Sequence, residues 1–191
     1  MASIFSDRQY LIKKKFLKLF GSDFKVYDGS GQQILFAHLK AFKLKEDITL
    51  FRDESKAEPV IRVKARNIID FSAAYDFYDA RTERKLGAVK RKGWKSIIRD
   101  EWVVMDQNDA EIGRLQEDTG LLAFVRRFLT NLIPQTFHMY VNGSTVATYK
   151  NNFNPFLSKV QVSLAQDHPV FNAEFAIAMG ILLCAIEGKQ R

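Results

Sequence analysis

Apolar and polar side chains alternate along most of this chain, and each alternating run ends at an aspartate or asparagine that is followed by turn residues. A period of two is typical of strands with one buried face, and two such runs joined by turn residues predict a β-hairpin. The clearest turn is Asn142-Gly143, because both central residues of a type I′ turn need a positive φ. The predicted hairpins pair residues 24–28 with 33–36, 48–53 with 60–64, 75–79 with 86–90, 102–106 with 111–115, and 137–141 with 145–149.

The predicted turns recur at nearly constant spacing. Asp28, Asp53, Asp79 and Asp106 follow one another at intervals of 25, 26 and 27 residues, and Asn142 comes 36 residues later. Such an internal repeat of short antiparallel strands favours a sandwich or a closed barrel. Closure removes the exposed strand edges that a long meander otherwise offers for aggregation.

Two segments depart from the strand pattern. Residues 119–133 place apolar side chains at helical spacing, with Thr119 as N-cap and Pro134 as the stop. They predict an amphipathic helix that covers the sheet from outside or plugs one end of it. Residues 170–186 are apolar nearly all round, apart from Asn172 and Glu174. A helix that is apolar on all sides is buried either in protein or in lipid.

The length of this second segment favours burial in protein. Only the twelve residues 175–186 are apolar without interruption, whereas crossing a bilayer takes about 20. Several alanines and a glycine make the segment a thin rod, which suits a helix threaded through the lumen of a barrel. We therefore predict a central core helix over residues 170–187 and no stable transmembrane insertion.

The order of these elements, together with three strings, resembles a known family. The strings are YLIKKKF in a basic N-terminal strand, FKVYDGSGQQI in the first hairpin and AIAMGILLCAIEG in the C-terminal helix. Over residues 8–187 the chain is similar to the tubby-like superfamily, in particular its LURP-one-related and phospholipid-scramblase-like branch. The resemblance implies a mainly β fold, a closed antiparallel barrel of about twelve strands around a buried C-terminal helix. Residues 1–191 would form one domain, with strands within residues 8–118 and 136–166.

Positive charge is concentrated in the first half of the chain. Residues 1–100 contain 22 Lys and Arg against 13 Asp and Glu, a balance of +9, whereas residues 101–191 contain 7 against 9, a balance of −2. A basic half attracts polyanions, so nucleic acid, an anionic membrane surface and an acidic protein are the partner classes to weigh. No helix-turn-helix, zinc-finger or aromatic RNA-binding string is present, so nucleic acid is supported by charge alone.

The densest basic stretch is KRKGWK at residues 90–95. Several cations beside an aromatic side chain can grip a phosphorylated head group while Trp94 sits at the membrane interface. The alternative interpretations are a solvated strand face for the cations and a core position for Trp94. Cations of two other strands join this site if those strands are its neighbours. The candidate anion-binding residues are Lys13, Lys15, Lys64, Arg66, Lys90, Arg91, Lys92 and Lys95.

Residue types that support catalysis or metal binding do not come together in the sequence. His38, His138 and His168 lie in separate predicted elements, and no Ser or Cys occupies a nucleophile elbow. The single cysteine, Cys184, lies in the apolar helix, as is typical of a small core residue. No zinc-ligand spacing and no phosphate-binding glycine loop occurs. We predict no catalytic residue, no metal and no cofactor, and hence a protein that is not an enzyme.

The resemblance leaves the function open, because one fold hosts several functions. Similar proteins are described as phosphoinositide-binding modules, as lipid scramblases and as plant defence-associated proteins. Our interpretation is a non-catalytic, monomeric barrel that binds anionic, phosphoinositide-like lipid head groups or an acidic partner through its basic surface. The alternatives are a membrane-anchored scramblase-like protein, and a nucleic-acid-binding protein or protein scaffold. With one cysteine and no signal-peptide core at the start, we expect a cytoplasmic protein that is peripheral at a membrane.

Overall fold

The computed structural model describes residues 3–17, 21–39, 47–66, 73–92, 101–118, 135–152, 157–165, 168 and 171–187. Within these ranges the chain forms twelve strands and one helix. The strands are β1 Gln9–Leu17, β2 Gly21–Tyr27, β3 Gln33–Leu39, β4 Ile48–Phe51, β5 Pro59–Ala65, β6 Ala74–Asp79, β7 Arg84–Arg91, β8 Glu101–Met105, β9 Glu111–Glu117, β10 Gln135–Val141, β11 Ser144–Asn152 and β12 Leu157–Leu164, and the helix is α1 Ala173–Glu187.

The twelve strands form a closed antiparallel barrel in which neighbours in the chain are also neighbours in the sheet. β1 closes the barrel by pairing with β12, in a register that places Tyr10 opposite Val162. The predicted closed barrel is confirmed. Its β10–β11 turn is formed at Asn142 and Gly143, which both have a positive φ, as a type I′ turn requires. The predicted amphipathic helix at residues 119–133 lies outside the described residues.

The alternation read from the sequence separates the inside of the barrel from its outside. In β2, Phe24 and Val26 are fully buried, whereas Lys25 between them faces solvent. Successive side chains of a strand point to opposite faces, so the apolar positions line the lumen and the charged ones cover the wall. Charged side chains on neighbouring strands are therefore brought side by side on the outer wall.

Helix α1 fills the lumen. Its side chains from Phe175 to Ala185 are buried on every side of the rod, including Met179 and Cys184. Phe175 packs edge-on against Phe77 of β6, with ring centroids 4.9 Å apart. The predicted central core helix is thus confirmed, with its first turn three residues later than expected. No helix among the described residues is long and apolar enough to cross a membrane.

The two polar interruptions of the apolar segment position the start of α1. Asn172 caps the helix, because its Oδ1 accepts a hydrogen bond of 2.9 Å from the backbone N–H of Phe175. Glu174 is only 7% exposed and accepts a hydrogen bond of 2.6 Å from Arg81, which also holds Asp79 at the end of β6. An ionic contact with the β6–β7 turn therefore anchors the first turn of the helix.

The other end of α1 is held by β1. Lys14 points into the lumen, is 3% exposed, and donates a hydrogen bond of 2.9 Å to the carbonyl oxygen of Cys184. Carbonyls in the last turn of a helix lack partners within the helix and carry partial negative charge. Since α1 has no basic residue in its own last turn, a lysine from the barrel wall interacts with this end.

We predict a pH-dependent difference in stability between the wild type and Glu174→Gln. Burial raises the pKa of Glu174 above its usual 4.5, although Arg81 opposes the shift. A carboxyl with a raised pKa stabilises the fold at low pH and loses that contribution as pH rises through its folded-state pKa. The wild type should therefore lose stability relative to Glu174→Gln as pH rises from about 4.5 through the raised pKa of Glu174. Urea unfolding at a series of pH values measures this, and a difference of opposite slope would contradict it.

Gly180→Leu should destabilise the barrel by about 1–3 kcal/mol through overpacking. A Cβ at Gly180 would lie 2.5 Å from Cδ1 of Ile12 and 3.1 Å from Cγ2 of Val162. The better helix propensity of leucine, worth about 1 kcal/mol, offsets this only in part. Urea unfolding followed by circular dichroism measures the change, with Gly180→Ala as a smaller step expected to cost less. An unchanged midpoint for the leucine variant would show that the lumen is loose at this position.

Candidate functional site

The structure places the candidate cations in two separate groups. Lys64 and Arg66 lie at the end of β5 and residues 90–92 at the end of β7, on either side of β6. Lys13 and Lys15 lie on β1, which β2, β3 and β4 separate from β5. The two groups therefore do not form one surface. Lys95 lies outside the described residues.

In the β5–β7 group, Arg66 is committed to carboxylates. Its guanidinium donates hydrogen bonds of 2.7 and 2.5 Å to the two oxygens of Asp76 on β6 and also contacts Asp109 in the β8–β9 turn. Lys85 contacts the same two acids, at 3.0 Å for Asp76 and 2.7 Å for Asp109. Two cations and two anions thus cancel on the outer wall. We call these four residues the β6 ion network.

The two acids of the β6 ion network have lowered pKa values. Burial by itself raises the pKa of Asp76, but the hydrogen bonds from Arg66 and Lys85 outweigh burial, so this pKa lies below its ordinary value. Lys85, and then Arg66, lower the pKa of Asp109 in the same way. Both carboxylates are therefore ionised at neutral pH and keep the two cations neutralised.

The remaining cations of this group differ in their contacts. Lys92 forms an ion pair of 2.7 Å with Glu101, and the Arg91 guanidinium lies over the Trp102 ring, 5.9 Å from its centroid. Lys64 and Lys90 are exposed, and neither forms an ion pair with another residue of the described ranges. These contacts agree with the alternation of a strand, which places Lys90 and Lys92 on one face and Arg91 on the other. Among residues 90–92, Arg91 and Lys92 are therefore engaged within the protein, and Lys90 is the cation that is most available to an anion.

An open depression lies on the outer wall beside Lys90. It has a volume of about 480 Å³, and Val103 and Met105 contribute its apolar surface. Cations line one end and the acids Asp109 and Glu111 line the other. Because both signs of charge are present, this depression does not favour an anionic ligand.

Three lysines form a row across the outer wall on the other side of the barrel. Lys13 of β1 is directly opposite Lys159 of β12 and directly opposite Lys25 of β2. Directly opposed Cβ atoms lie about 5 Å apart, and like charges in such pairs are destabilising. We call Lys159, Lys13 and Lys25 the lysine row. Packing of the barrel does not account for the lysine row, because repulsion between the lysines opposes the pairing of their strands.

The surroundings of the lysine row combine charge with aromatic and aliphatic surface. The Lys13 ammonium lies over the ring of Tyr27, 4.3 Å from its centroid. Tyr27 is directly opposite Leu11, which is half-buried on the same outer face of β1. Lys15 is exposed two positions beyond Lys13 and therefore points the same way. Within the described part of the chain, Lys13, Lys15 and Lys159 form no ion pair.

Two acids lie near the row. Glu54, in the β4–β5 turn, forms an ion pair of 2.6 Å with Lys25. Asp23 is directly opposite Lys15, and one of its oxygens lies 2.6 Å from Nδ1 of His38. The three lysines of the row together with Lys15 thus face two carboxylates, which leaves an excess of positive charge on this wall.

Sequence reasoning selected Lys13 and Lys15 but missed Lys25 and Lys159. The alternation around Lys25 already predicts that its side chain points outward. The missing information was the register, because β1 meets β12 only when the barrel closes. A lysine row that spans both ends of the chain cannot be recognised from local spacing.

Two of the described histidines lie on separate strands of the barrel. His38 lies on β3 beside Asp23, and His138 lies on β10 with Asp118 at 3.2 Å. Cys184 is buried inside the barrel. Among the residues that the structure describes, no three His, Cys, Asp or Glu side chains are placed to hold a metal ion.

Comparison with known proteins identifies the family. A model of the LURP-one-related family matches residues 33–184, which is most of the chain. The chain belongs to the LURP-one-related family, within the tubby-like superfamily. Searches of curated proteins and of solved structures found no match. The resemblance noted in the sequence is thereby confirmed, while β1 and β2, which carry Lys13 and Lys25, lie outside the matched segment of this LURP-one-related protein.

We predict that Arg66→Ser lowers stability and leaves the binding of anionic vesicles unchanged. Asp76 is 7% exposed, and losing its bidentate partner leaves a buried carboxylate less satisfied, at a cost of about 1–3 kcal/mol. Urea unfolding and vesicle co-sedimentation separate the two effects. Lys64→Ser is the control, because an exposed lysine without an ion pair should change stability by about 0.5 kcal/mol or less. Loss of vesicle binding by Arg66→Ser at unchanged stability would contradict this assignment.

Proposed function

We propose that this LURP-one-related protein is a non-catalytic binding module that docks on anionic lipid head groups through the lysine row. The observation that carries the proposal is the direct opposition of Lys159, Lys13 and Lys25 on three adjacent strands. An arrangement that opposes strand pairing is accounted for when a negatively charged ligand lies across it. The family resemblance agrees with the proposal, because phosphoinositide binding is described for the tubby branch.

The chemistry of the wall fits the surface of a membrane. Near an anionic leaflet, each lysine contributes about 1 kcal/mol to binding. The ring of Tyr27 and the side chain of Leu11 supply the amphipathic and apolar contacts that interfacial residues make. An outer wall that carries lysines, a tyrosine and a leucine therefore matches a layer of lipid head groups better than a deep pocket would.

The barrel also holds the charges in place before binding. The three lysines are attached to strands whose backbones are fixed by hydrogen bonds on both sides. Only the side chains have to be ordered when a ligand binds, and pre-organisation of this kind reduces the entropic cost of association. The proposal places the protein peripherally on a membrane, with α1 kept inside the lumen.

The test compares two double variants that each remove two strand lysines. Lys13→Ser with Lys159→Ser should weaken binding to anionic vesicles about thirty-fold, from about 1 kcal/mol for each lysine. Lys64→Ser with Lys90→Ser removes the same charge from the other group and should have a much smaller effect. Co-sedimentation with phosphatidylglycerol-containing and pure phosphatidylcholine vesicles, over a salt series, measures the affinities.

Three results would count against the proposal. Equal losses in the two double variants would mean that the vesicles respond to net charge and not to the lysine row. Binding that resists both high salt and a carbonate wash would indicate insertion of α1, as a scramblase-like protein requires. Equal affinity for duplex DNA, with the same salt dependence, would indicate a generally adhesive basic surface.

A further inference from the structure

One lysine of the row is already occupied by an anion from the protein itself. Glu54 lies 29 residues from Lys25 in the chain, and its Oε1 accepts a hydrogen bond of 2.6 Å from the Lys25 ammonium. The contact crosses β3, because Glu54 belongs to the β4–β5 turn and Lys25 to β2. Within the described ranges, the free protein thus has two lysines of the row without an ion pair and a third that is paired with Glu54.

The turn that carries Glu54 is fixed in this position. Arg52 at its start donates a hydrogen bond of 2.8 Å to the carbonyl oxygen of Ile34 on β3. The ammonium of Lys56 lies over the Phe36 ring of the same strand, 5.9 Å from its centroid. Two side chains of the turn therefore lie against β3, and these contacts hold the Glu54 carboxylate close to β2.

Glu54 stays ionised at physiological pH, but a ligand can displace it from Lys25. Lys25 first, and then Gln33, lower the pKa of Glu54 to about 2, so this carboxylate stays ionised over the physiological range. The side chains of Lys25 and Glu54 are 40% and 50% exposed, and an exposed ion pair is weak. A ligand with enough negative charge can take the place of Glu54 without unfolding any part of the barrel.

We propose that Glu54 determines the specificity of the lysine row: by occupying Lys25, it makes the row favour head groups that carry a phosphomonoester over head groups that carry only a phosphodiester. This inference rests on the proposed function. It assigns to Glu54 the role of an internal competitor, and to the ligand a class of head group.

The preference follows from the charges that are exchanged. A phosphodiester carries a single negative charge, so replacing Glu54 at Lys25 exchanges one monoanion for another and gains nothing. Such a ligand engages Lys13 and Lys159 only. A phosphomonoester carries between one and two negative charges at neutral pH, about −1.5 to −2, and has three strong acceptor oxygens. Because the Cβ atoms of Lys13 and Lys25 lie about 5 Å apart, one phosphomonoester can contact both ammonium groups. The free energy that it gains there exceeds the free energy that is lost when Glu54 leaves Lys25.

The experiment uses the full chain and two matched glutamate variants. Glu54→Gln removes the competitor, and Glu58→Gln removes the same charge from the same exposed turn, where Glu58 forms no ion pair within the described ranges. The probes are phosphatidylcholine vesicles containing either phosphatidylglycerol, a diester, or phosphatidic acid, a monoester, matched in surface potential. Circular dichroism verifies that each variant is folded.

We expect Glu54→Gln to raise the affinity for phosphatidylglycerol vesicles by up to about five-fold, the range of an exposed ion pair. The affinity for phosphatidic acid should rise less, so the preference for the monoester shrinks. Glu58→Gln should raise both affinities slightly and leave their ratio unchanged. This pattern supports the inference.

Two results would overturn it. If Glu54→Gln and Glu58→Gln change the two affinities alike, Glu54 acts only through net charge. If the wild type binds both kinds of vesicle equally well at matched surface potential, the lysine row does not distinguish the two head groups, and Glu54 determines no specificity. If the proposed function itself is wrong, the result is different, because the Lys13→Ser, Lys159→Ser double variant then binds vesicles as well as the wild type does. In that case the specificity inference is wrong too.

Discussion

The lumen of this barrel has to be filled by an element that is apolar on every side, and α1 is that element. A helix of this kind cannot lie on a surface, because no face of it tolerates water. Twelve strands surround it, each turning its apolar positions inward. The same alternation turns the charged positions outward. The outward placement of the charged side chains is therefore a consequence of enclosing the helix, and strand pairing decides which of them are neighbours.

Polar contacts at both ends of the rod determine how α1 sits along the lumen. At the start, Arg81 joins Glu174 to the β6–β7 turn. Near the end, Lys14 reaches a helix carbonyl from β1. Both contacts are directional and involve a charged group, so they are satisfied at one longitudinal position of the helix. They act together with the apolar packing of Phe175 against Phe77, which favours the same position.

Features that depend on residues close together in the chain can be predicted from the sequence, whereas features that depend on distant residues cannot. Hairpins depend on neighbouring residues, so the turn at Asn142 and the alternation around Lys25 can be read directly. The roles of Arg66 and Lys14 cannot. Arg66 resembles a ligand-binding cation until Asp109, 43 residues away, is brought against it. Lys14 stands between two surface lysines in the sequence, yet it points inward, because a strand alternates and its inner partner lies 170 residues away.

The lysine row lies where the barrel closes, and this position links binding to stability. β1 and β12 come from opposite ends of the chain, so their pairing closes the longest loop between any two paired strands of the barrel, and a longer loop costs more conformational entropy to close. Inside, buried Ile12 and Val160 favour the pairing, while outside Lys13 and Lys159 oppose it. An anion bound across these two lysines removes the repulsion, and only the closed barrel brings them together. Because such a ligand binds the folded state and not the unfolded one, it stabilises the closed barrel by an amount that rises with the logarithm of its concentration and affinity.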